Sequence, residues 1–191
     1  IKPIDLPKMV SIRKRSKQVI KTNKKTLGQS IEERPECIND RSEFGHWEID
    51  LVLGKKTKGE AVVLTLVERQ TRYALGVKLE DKQSHTINSA VKQLTSQYPI
   101  ASITADNGSE FSLLSDLEAV DVYFAHPYSS HERGTNENFN GLLREYIPKG
   151  NSFNSLTSEE LDNYITAINE RPRRLLQYQS SKFLFGIAQI A

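Results

Sequence analysis

Alternating apolar and polar positions predict three successive strands in the first half of the chain. In residues 46–54, HWEIDLVLG, Trp47 and Ile49 fall on one face of a strand, whereas Glu48 and Asp50 fall on the other. Two further segments, AVVLTLVER and RYALGVKL, are apolar and rich in β-branched residues, and they follow after short turns. Three such strands in direct succession favour an antiparallel meander.

Helical periodicity alternates with two more strands in the rest of the chain. The elements it predicts are a helix from about His85 to Tyr98 that Ser84 caps and Pro99 stops, the strand IASITAD, a short helix near 111–119, the strand VDVYFAH, a helix that carries Glu137, and a final helix from about Ser158 to Leu175. IASITAD is short and almost entirely apolar, as a parallel strand between helices should be. This order of elements predicts an α/β fold with a mixed, five-stranded sheet and helices on both of its faces.

The charge is divided unevenly along the chain, although the formal net charge is only +2. Residues 1–29 contain nine lysines and arginines against one aspartate, a net charge of +8, which leaves −6 for the remainder. A basic segment of this kind is either an arm that contacts phosphates in a salt-dependent way or a solvated linker. We therefore divide the chain into a basic N-terminal arm and linker, residues 1–44, and a main domain, residues 45–191.

Composition excludes several classes of protein. No apolar run approaches the length of a transmembrane helix, and the N-terminal residues do not have the pattern of a signal peptide. The single cysteine, Cys37, excludes an internal disulfide and a cysteine-rich zinc site, which agrees with a reducing, cytoplasmic location. The chain begins with isoleucine and a basic segment, so we expect it to be part of a longer protein.

Three carboxylates lie where the predicted elements can bring them together. Asp50 lies within the first strand, Asp106 ends IASITAD just before an Asn-Gly turn, and Glu137 lies near the start of a helix. On that helix Glu137 falls opposite an apolar stripe, so it projects from the side that does not pack on the core. A carboxylate in the middle of a strand is costly unless a charge compensates it or the strand has a solvated edge. Together the three groups offer the oxygen ligands that Mg²⁺ prefers.

Five motifs resemble, in sequence and in order, the integrase-type catalytic core of insertion-sequence-thirty family transposases; they are GHWEIDLVLG, LVERQTRYALGVKL, TADNGSEF, PYSSHERGTNENFNGLLREYIPKG and INERPRRLLQY. The resemblance extends over roughly residues 30–185. It implies a ribonuclease-H-like fold, an Asp-Asp-Glu active site on the three carboxylates, and metal-dependent cutting and joining of DNA. It also implies helix-turn-helix modules in the missing part of the protein. His131, Ser181 and Phe183 depart from the family pattern, and none of them is one of the carboxylates.

The expected cofactors are two Mg²⁺ or Mn²⁺ ions. In a two-metal mechanism one ion activates water or a DNA 3′-hydroxyl, and the other stabilises the departing 3′-oxygen. On this interpretation Asp50 bridges both ions, and Asp106 and Glu137 each complete the coordination of one. Protein acids and bases are then not required. His126 and His131 are candidates for an assisting role, with packing or hydrogen bonding in a loop as the alternative.

Basic and amide side chains near the carboxylates are the expected contacts with double-stranded DNA; the candidates are Arg133, Asn136, Asn140, Arg144, Lys149, Arg173 and Arg174. For Arg144 the alternative is a surface ion pair with Glu145 or Glu137. For the two asparagines it is orientation of a carboxylate or exposure to water, and for the arginines around Pro172 a solvated helix end. Glu68 and Arg69, beside a predicted turn, are expected to be surface charges.

The favoured function is that of a transposase catalytic domain acting at the ends of an insertion sequence, as a dimer or larger homo-oligomer on its DNA. A structure-selective nuclease of the same fold, which cuts without joining, and a non-catalytic DNA-binding or assembly module are the alternatives. Glu110, Glu132 and Glu145 compete for the role of third carboxylate. Only Glu137 combines an early helical position with a face opposite the apolar stripe.

Overall fold

The computed structural model describes residues 27–55, 57–127 and 129–190 of the 191-residue chain. The main sheet has the strand order β1-β6-β5-β2-β3-β4, in which the strands are β1 (Gln29–Ser30), β2 (His46–Leu53), β3 (Val62–Glu68), β4 (Ala74–Leu79), β5 (Ser102–Ala105) and β6 (Asp121–Phe124). The helices are α1 (Glu36–Asn39), α2 (Ser84–Thr95), α3 (Gly134–Tyr146), α4 (Ser158–Glu170) and α5 (Ser181–Ala188). A two-stranded ribbon, β7 (Pro172–Arg173) and β8 (Gln179–Ser180), separates α4 from α5.

The sheet is mixed, and all five predicted strands are present. Strands β2, β3 and β4 form the antiparallel meander that their direct succession predicts. Strand β5 pairs in parallel with β2, and β6 pairs in parallel with β5. The return from β4 to β5 runs through α2, since parallel strands need a crossover connection. The predicted α/β fold is therefore confirmed.

A sixth, two-residue strand comes from the segment that the sequence assigned to the linker. Strand β1 pairs in parallel with β6, with Gln29 opposite Tyr123. Beyond it Ile31 and Ile38 are buried, and Arg34 donates a hydrogen bond to Thr104 Oγ1 at 3.0 Å. The boundary before residue 45 stays a prediction, but packing on the sheet begins ahead of it. The basic arm lies almost entirely outside the described residues.

Helices cover both faces of the sheet, as predicted. On one face α2 and α5 enclose a core that includes Trp47 and Ile49. On the other face α3 and α4 enclose a second core that includes Val52 and Val63. Because side chains alternate along a strand, the even-numbered positions of β2 face α3. Asp50 therefore lies on the side of the sheet that α3 covers.

Two helix predictions differ from the structure in the middle of the chain. Helix α2 includes Ser84, and its N-cap is Gln83, which makes no side-chain capping bond. The predicted short helix near 111–119 is instead two separate 3₁₀ turns, Ser109–Phe111 and Leu114–Asp116. Each of these segments is a single 3₁₀ turn of three residues, so the continuous helix that was predicted does not form.

The last predicted helix ends earlier than its apolar pattern suggests. Helix α4 starts with a capping box between Thr157 and Glu160 and stops at Glu170. Arg171 has an extended backbone, with ψ of 124°, because Pro172 follows it. The chain then forms the β7–β8 ribbon and a further helix, α5, that the sequence did not predict.

Phe185 attaches helix α5 to the rest of the domain. Its ring stacks on Tyr73 with centroids 4.1 Å apart, and it meets Phe44 and Trp47 edge-on at 5.3 and 5.8 Å. The side chain is 4% exposed, whereas Phe183 on the same helix is 54% exposed. Phe185 is therefore a buried residue of α5, and Phe183 is an exposed residue of the same type that serves as its control.

We expect Phe185→Ala to lower the free energy of unfolding by about 3–5 kcal/mol, because it removes buried area and leaves a cavity among three aromatic rings. Phe183→Ala should change it by less than about 0.5 kcal/mol, since that side chain is largely solvated. Urea denaturation of both variants provides the measurement. Equal losses in the two variants would show that α5 does not pack through Phe185.

Candidate active site

The parallel pairing of β2 and β5 brings Asp50 and Asp106 together. Glu48 is in register with Thr104, so the residues two positions later on each strand are neighbours at the same end of the sheet. Asp106 follows directly after β5 and accepts a hydrogen bond from the Gly108 amide at 2.9 Å. A Cβ on Gly108 would lie 2.7 Å from the Glu110 carboxyl group and 2.8 Å from Asp106 Oδ1, so a larger residue there would displace these carboxylates. Strand register and turn chemistry together place two carboxylates side by side.

A single guanidinium bridges the two carboxylates. Arg133 Nη1 lies 3.2 Å from Asp50 Oδ1, and Nη2 lies 3.2 Å from Asp106 Oδ2. Nη1 also donates to the Ile49 carbonyl at 3.1 Å. Burial raises the pKa of Asp50, and the positive charge of Arg133 opposes that rise. The pair is thus arranged around one shared positive charge.

Arg133 was predicted to contact DNA, but in this structure its side chain is only 10% exposed. Its two terminal nitrogens are engaged by the carboxylates, so a DNA contact requires this bridge to open. The arginine reaches them from the 3₁₀ turn Ser130–Arg133 that leads directly into α3. The bridge therefore couples the start of α3 to the middle of β2 and to the end of β5.

Asn140 of α3 binds the Asp50 oxygen that Arg133 does not contact. Its Nδ2 donates to Asp50 Oδ2 at 2.9 Å, so each oxygen of Asp50 has a partner on or just before α3. Thr65, opposite Asp50 on β3, lies with its Oγ1 3.1 Å from Asn140 Oδ1. Of the roles open to Asn140, the structure shows orientation of a carboxylate.

Asn136 lies one helical turn earlier and is fully buried. Its backbone amide donates to Glu48 Oε2 at 2.9 Å, and its side-chain oxygen lies 3.1 Å from Thr65 Oγ1. A direct DNA contact of this side chain, as predicted, is therefore wrong for the structure described. The asparagine instead fixes how the first turn of α3 sits on the sheet.

A buried ion pair lies beneath this arrangement. Glu48 is 0% and Arg69 3% exposed, and Arg69 Nη1 contacts Glu48 Oε1. Arg69 Nε donates to the Ile38 carbonyl at 3.1 Å. Glu68 is also fully buried and accepts from the Thr71 amide at 2.6 Å. The prediction that Glu68 and Arg69 are surface charges is wrong, because residues 38–46 cover the β3–β4 turn.

A sequence signal for this pair was available. Glu48 shares a strand face with Asp50 at a position predicted to be covered by a helix, so it required a basic partner. The motif LVER placed Arg69 at the end of the adjacent strand. Pairing β2 with β3 in antiparallel register would have identified Arg69 as the partner of Glu48.

Glu137 lies in the first turn of α3, and its side chain is exposed. Within residues 27–55, 57–127 and 129–190, no three acidic, histidine or cysteine groups are close enough to hold a metal ion. The structure thus brings Asp50 and Asp106 together but does not add Glu137 to them. The three-carboxylate site stays a prediction.

The histidines of the loop before α3 differ in their contacts. The His126 amide and Nδ1 contact the Glu132 carboxylate at 2.8 and 2.9 Å. The hydrogen bond with Glu132, followed by its charge, raises the pKa of His126. Both contacts tie His126 to Glu132 within the loop, which is the hydrogen-bonding role. His131 is exposed.

The other DNA-contact candidates divide by exposure. Lys149 and Arg174 are exposed, whereas Arg173 is half-buried and donates to the Ile168 carbonyl at 3.2 Å. Arg144 donates to the Leu53 carbonyl at 2.6 Å and lies over the ring of Phe153. Within the described part of the chain, Arg144 forms no ion pair with Glu145 or Glu137, the alternative considered for it.

Comparison with known proteins shows that this chain is similar to integrases and transposases. The integrase core domain family matches residues 40–130. A probable transposase for insertion-like sequence element IS1161 of Streptococcus salivarius is 62% identical over 191 residues, which cover 100% of this chain and 56% of the relative. The transposase InsI for insertion sequence element IS30A of Escherichia coli (strain K12) is 38% identical over 161 residues, 81% of this chain and 41% of the relative. The chain thus spans about half the length of these relatives.

The fold has a similar solved structure. The catalytic core domain of BIV integrase superposes with a TM-score of 0.55 at 14% sequence identity, over 76% of this chain and 96% of that chain. This similarity supports the predicted ribonuclease-H-like arrangement of sheet and helices. In the part of the chain that the structure describes, no helix has the length and apolar character needed to cross a membrane.

We expect Arg133→Gln to lower the free energy of unfolding of the metal-free protein by about 2 kcal/mol, because two adjacent carboxylates lose their shared cation. Arg171→Gln, which removes an exposed ion pair with Glu145, should cost less than about 1 kcal/mol. Urea titrations in the presence of a chelator measure both. A loss for Arg133→Gln no larger than that for Arg171→Gln would contradict the bridging role.

Proposed function

Because the chain belongs to the insertion-sequence-thirty family of transposases, with an integrase-type catalytic core, we propose that it cleaves DNA strands and transfers them at the ends of an insertion sequence. The observation that carries this proposal is the pair of carboxylates, Asp50 and Asp106, that two adjacent strands present to one shared cation. Carboxylates held in this way are what a phosphoryl-transfer site on a divalent metal requires.

The cofactor we propose is a pair of Mg²⁺ or Mn²⁺ ions. The donor set fits, since both aspartates offer oxygens and already share a positive group, Arg133, at 3.2 Å from each. Asp50, Asp106 and Glu137 would hold the metal. When bound, the metal supplies an activated oxygen nucleophile and neutralises the charge of the phosphate.

Glu137 is the third carboxylate in this proposal. It lies three residues before Asn140, and residues at this spacing are neighbours on one side of a helix. Asn140 donates to Asp50 Oδ2 at 2.9 Å, so that side of α3 is directed towards the aspartate pair. The exposed side chain of Glu137 is free to turn to it.

The remaining residues of the site position these groups. Asn140 fixes the orientation of the Asp50 carboxylate. The Glu48–Arg69 pair anchors the start of α3, because Glu48 accepts the Asn136 amide as well as the arginine. Arg133 keeps the carboxylates together, and its charge is the one a metal would replace.

Double-stranded DNA is the proposed substrate, at the element ends and at the target site. Lys149 and Arg174 are exposed and suited to contacts with backbone phosphates. We propose that the chain acts as a dimer or larger homo-oligomer in the DNA complex. Large apolar side chains exposed near its C-terminus support this, namely Tyr178, Phe183, Ile187 and Ile190. Its place of action would be the bacterial cytoplasm, at the nucleoid.

An assay of labelled DNA ends with Mg²⁺ distinguishes this proposal from its alternatives. Joined products are expected from a transposase domain. Cut but unjoined ends would identify a structure-selective nuclease, and bound but intact DNA would identify a binding or assembly module. Both of the latter results would contradict strand transfer by this chain.

We expect Glu137→Gln to reduce strand cleavage and joining at least about a hundredfold while DNA binding persists, because it removes a metal-binding charge without changing the shape of the side chain. Glu145→Gln is the matched control, since Glu145 lies on the same helix and, among the residues that the structure describes, forms a surface ion pair with Arg171. It should retain most activity, as should Glu110→Gln and Glu132→Gln. Normal cleavage by Glu137→Gln, or loss of activity in Glu132→Gln, would show that the third ligand is another residue.

A further inference from the structure

A groove on the side of α3 is lined by five arginines. It has a volume of about 510 Å³ and lies between the first turns of α3, the β3–β4 turn and the ribbon that follows α4. The arginines that line it are Arg41, Arg72, Arg171, Arg173 and Arg174, and we call this surface the arginine groove. No aspartate or glutamate is among its described lining residues.

The positive charge of the arginine groove is largely uncompensated. Among the residues that the structure describes, only Arg171 of the five has a carboxylate within 4.0 Å, the side chain of Glu145. Arg41 and Arg72 instead both donate to the neutral hydroxyl of Thr135, at 3.4 and 2.6 Å. Burial, followed by the charge of Arg41, lowers the pKa of Arg72 to about 10, although the charges of the buried Glu48 and Glu68 partly oppose that shift. Such crowding of like charges is unfavourable unless an anion offsets it.

Two further features of the arginine groove are those of a site that can take an anion. The Nε atoms of Arg41 and Arg173 are buried and have no hydrogen-bond partner, although buried donors are nearly always satisfied. The backbones of Arg41 and Arg72 are both left-handed, with φ of 64°. A left-handed backbone at a non-glycine residue is strained and is retained only where its surroundings require it, and both of these residues line the groove.

The position of the arginine groove indicates what kind of anion it takes. Gly134 and Thr135, which open the 13-residue helix α3, line it, so the positive end of the helix dipole adds to the arginines. Arg133, the residue just before them, bridges Asp50 and Asp106. An anion in the groove is therefore bound at the same end of α3 as the aspartate pair. Guanidinium groups match phosphate oxygens in a bidentate way, which favours a phosphodiester.

We infer that the arginine groove binds a backbone phosphate of duplex DNA, through Arg41, Arg72 and Arg174. This inference rests on the proposed function, since it takes the substrate of the site to be DNA. It adds a contact on the flank of α3, separate from the carboxylates. Arg41 and Arg72 come from segments far from α3 in the sequence, and Thr135 holds them in place until a phosphate replaces its hydroxyl as their acceptor.

The test is fluorescence anisotropy of a labelled duplex of about 20 base pairs, titrated with the 191-residue chain at several NaCl concentrations. Arg72→Gln combined with Arg174→Gln should weaken binding by about tenfold at low salt and reduce the slope of log K against log salt by about one, because a phosphate contact is lost. Lys92→Gln is the control. Lys92 is exposed on α2, which covers the opposite face of the sheet, so its loss should leave affinity and slope unchanged.

Arg174→Gln alone keeps the inference testable if the double variant is unstable. Its side chain is exposed and forms no ion pair with a described residue, so the substitution does not disturb the fold. It should lower affinity and slope in the same direction. Unchanged affinity and slope in both variants would overturn the inference. The inference would also fail if both variants lost binding to a labelled oligoglutamate peptide but bound duplex DNA as the unsubstituted chain does.

Asp50→Asn separates this inference from the proposed function. It should retain the salt slope of the unsubstituted chain while losing cleavage. If the unsubstituted chain cuts DNA and the groove variants bind with an unchanged slope, the groove assignment fails and the proposed function stands. If the groove variants bind DNA more weakly and with a smaller salt slope, but neither the unsubstituted chain nor any variant cuts DNA, the proposed catalysis fails and the groove remains a DNA phosphate site.

Discussion

Asp50 within β2 and Asp106 just after β5 lie side by side on two parallel strands, and their mutual repulsion must be offset for this part of the sheet to be stable. Arg133 provides that offset, at 3.2 Å from one oxygen of each carboxylate. Because this arginine immediately precedes α3, the same contact sets where the helix begins. Asn140 adds a second bond from α3 to Asp50. Helix position and carboxylate geometry thus depend on each other.

A second charge, that of Glu48, is compensated by Arg69 and supports the bridge that Arg133 forms between Asp50 and Asp106. Glu48 is buried two residues before Asp50, and it would be strongly destabilising there without Arg69. Its other oxygen accepts the backbone amide of Asn136, one of the donors that a helix leaves unpaired in its first turn. The β3–β4 turn, β2 and α3 are therefore joined through one carboxylate. The aspartate pair is thus held on polar contacts that are themselves buried.

Much of this could be predicted from the sequence, because the relevant signals are local. Alternation along β2 and the Asn-Gly turn after β5 predicted the positions of Asp50 and Asp106, and the apolar stripe of α3 predicted the exposed side on which Glu137 lies. What was missed depends on contacts between distant segments. Arg69 is buried because residues around Ile38 cover it.

Helix α5 and strand β1 were missed for a related reason. Strand β1 has only two residues and exists because β6 offers it a free edge. Helix α5 is short, and its largest buried side chain, Phe185, packs against Tyr73 more than a hundred positions earlier. Periodicity within a segment carries no information about such partners. The bridging role of Arg133 likewise depends on strand register.

Anomalous diffraction from crystals of this chain soaked in MnCl₂ would show whether the aspartate pair is a metal site. We expect an anomalous peak about 2 Å from oxygens of both Asp50 and Asp106, with the Arg133 guanidinium displaced from between them. Crystals of Asp50→Asn should lack that peak. Crystals that show no peak at the pair, with Arg133 still bridging the two carboxylates at high Mn²⁺ concentration, would contradict this expectation.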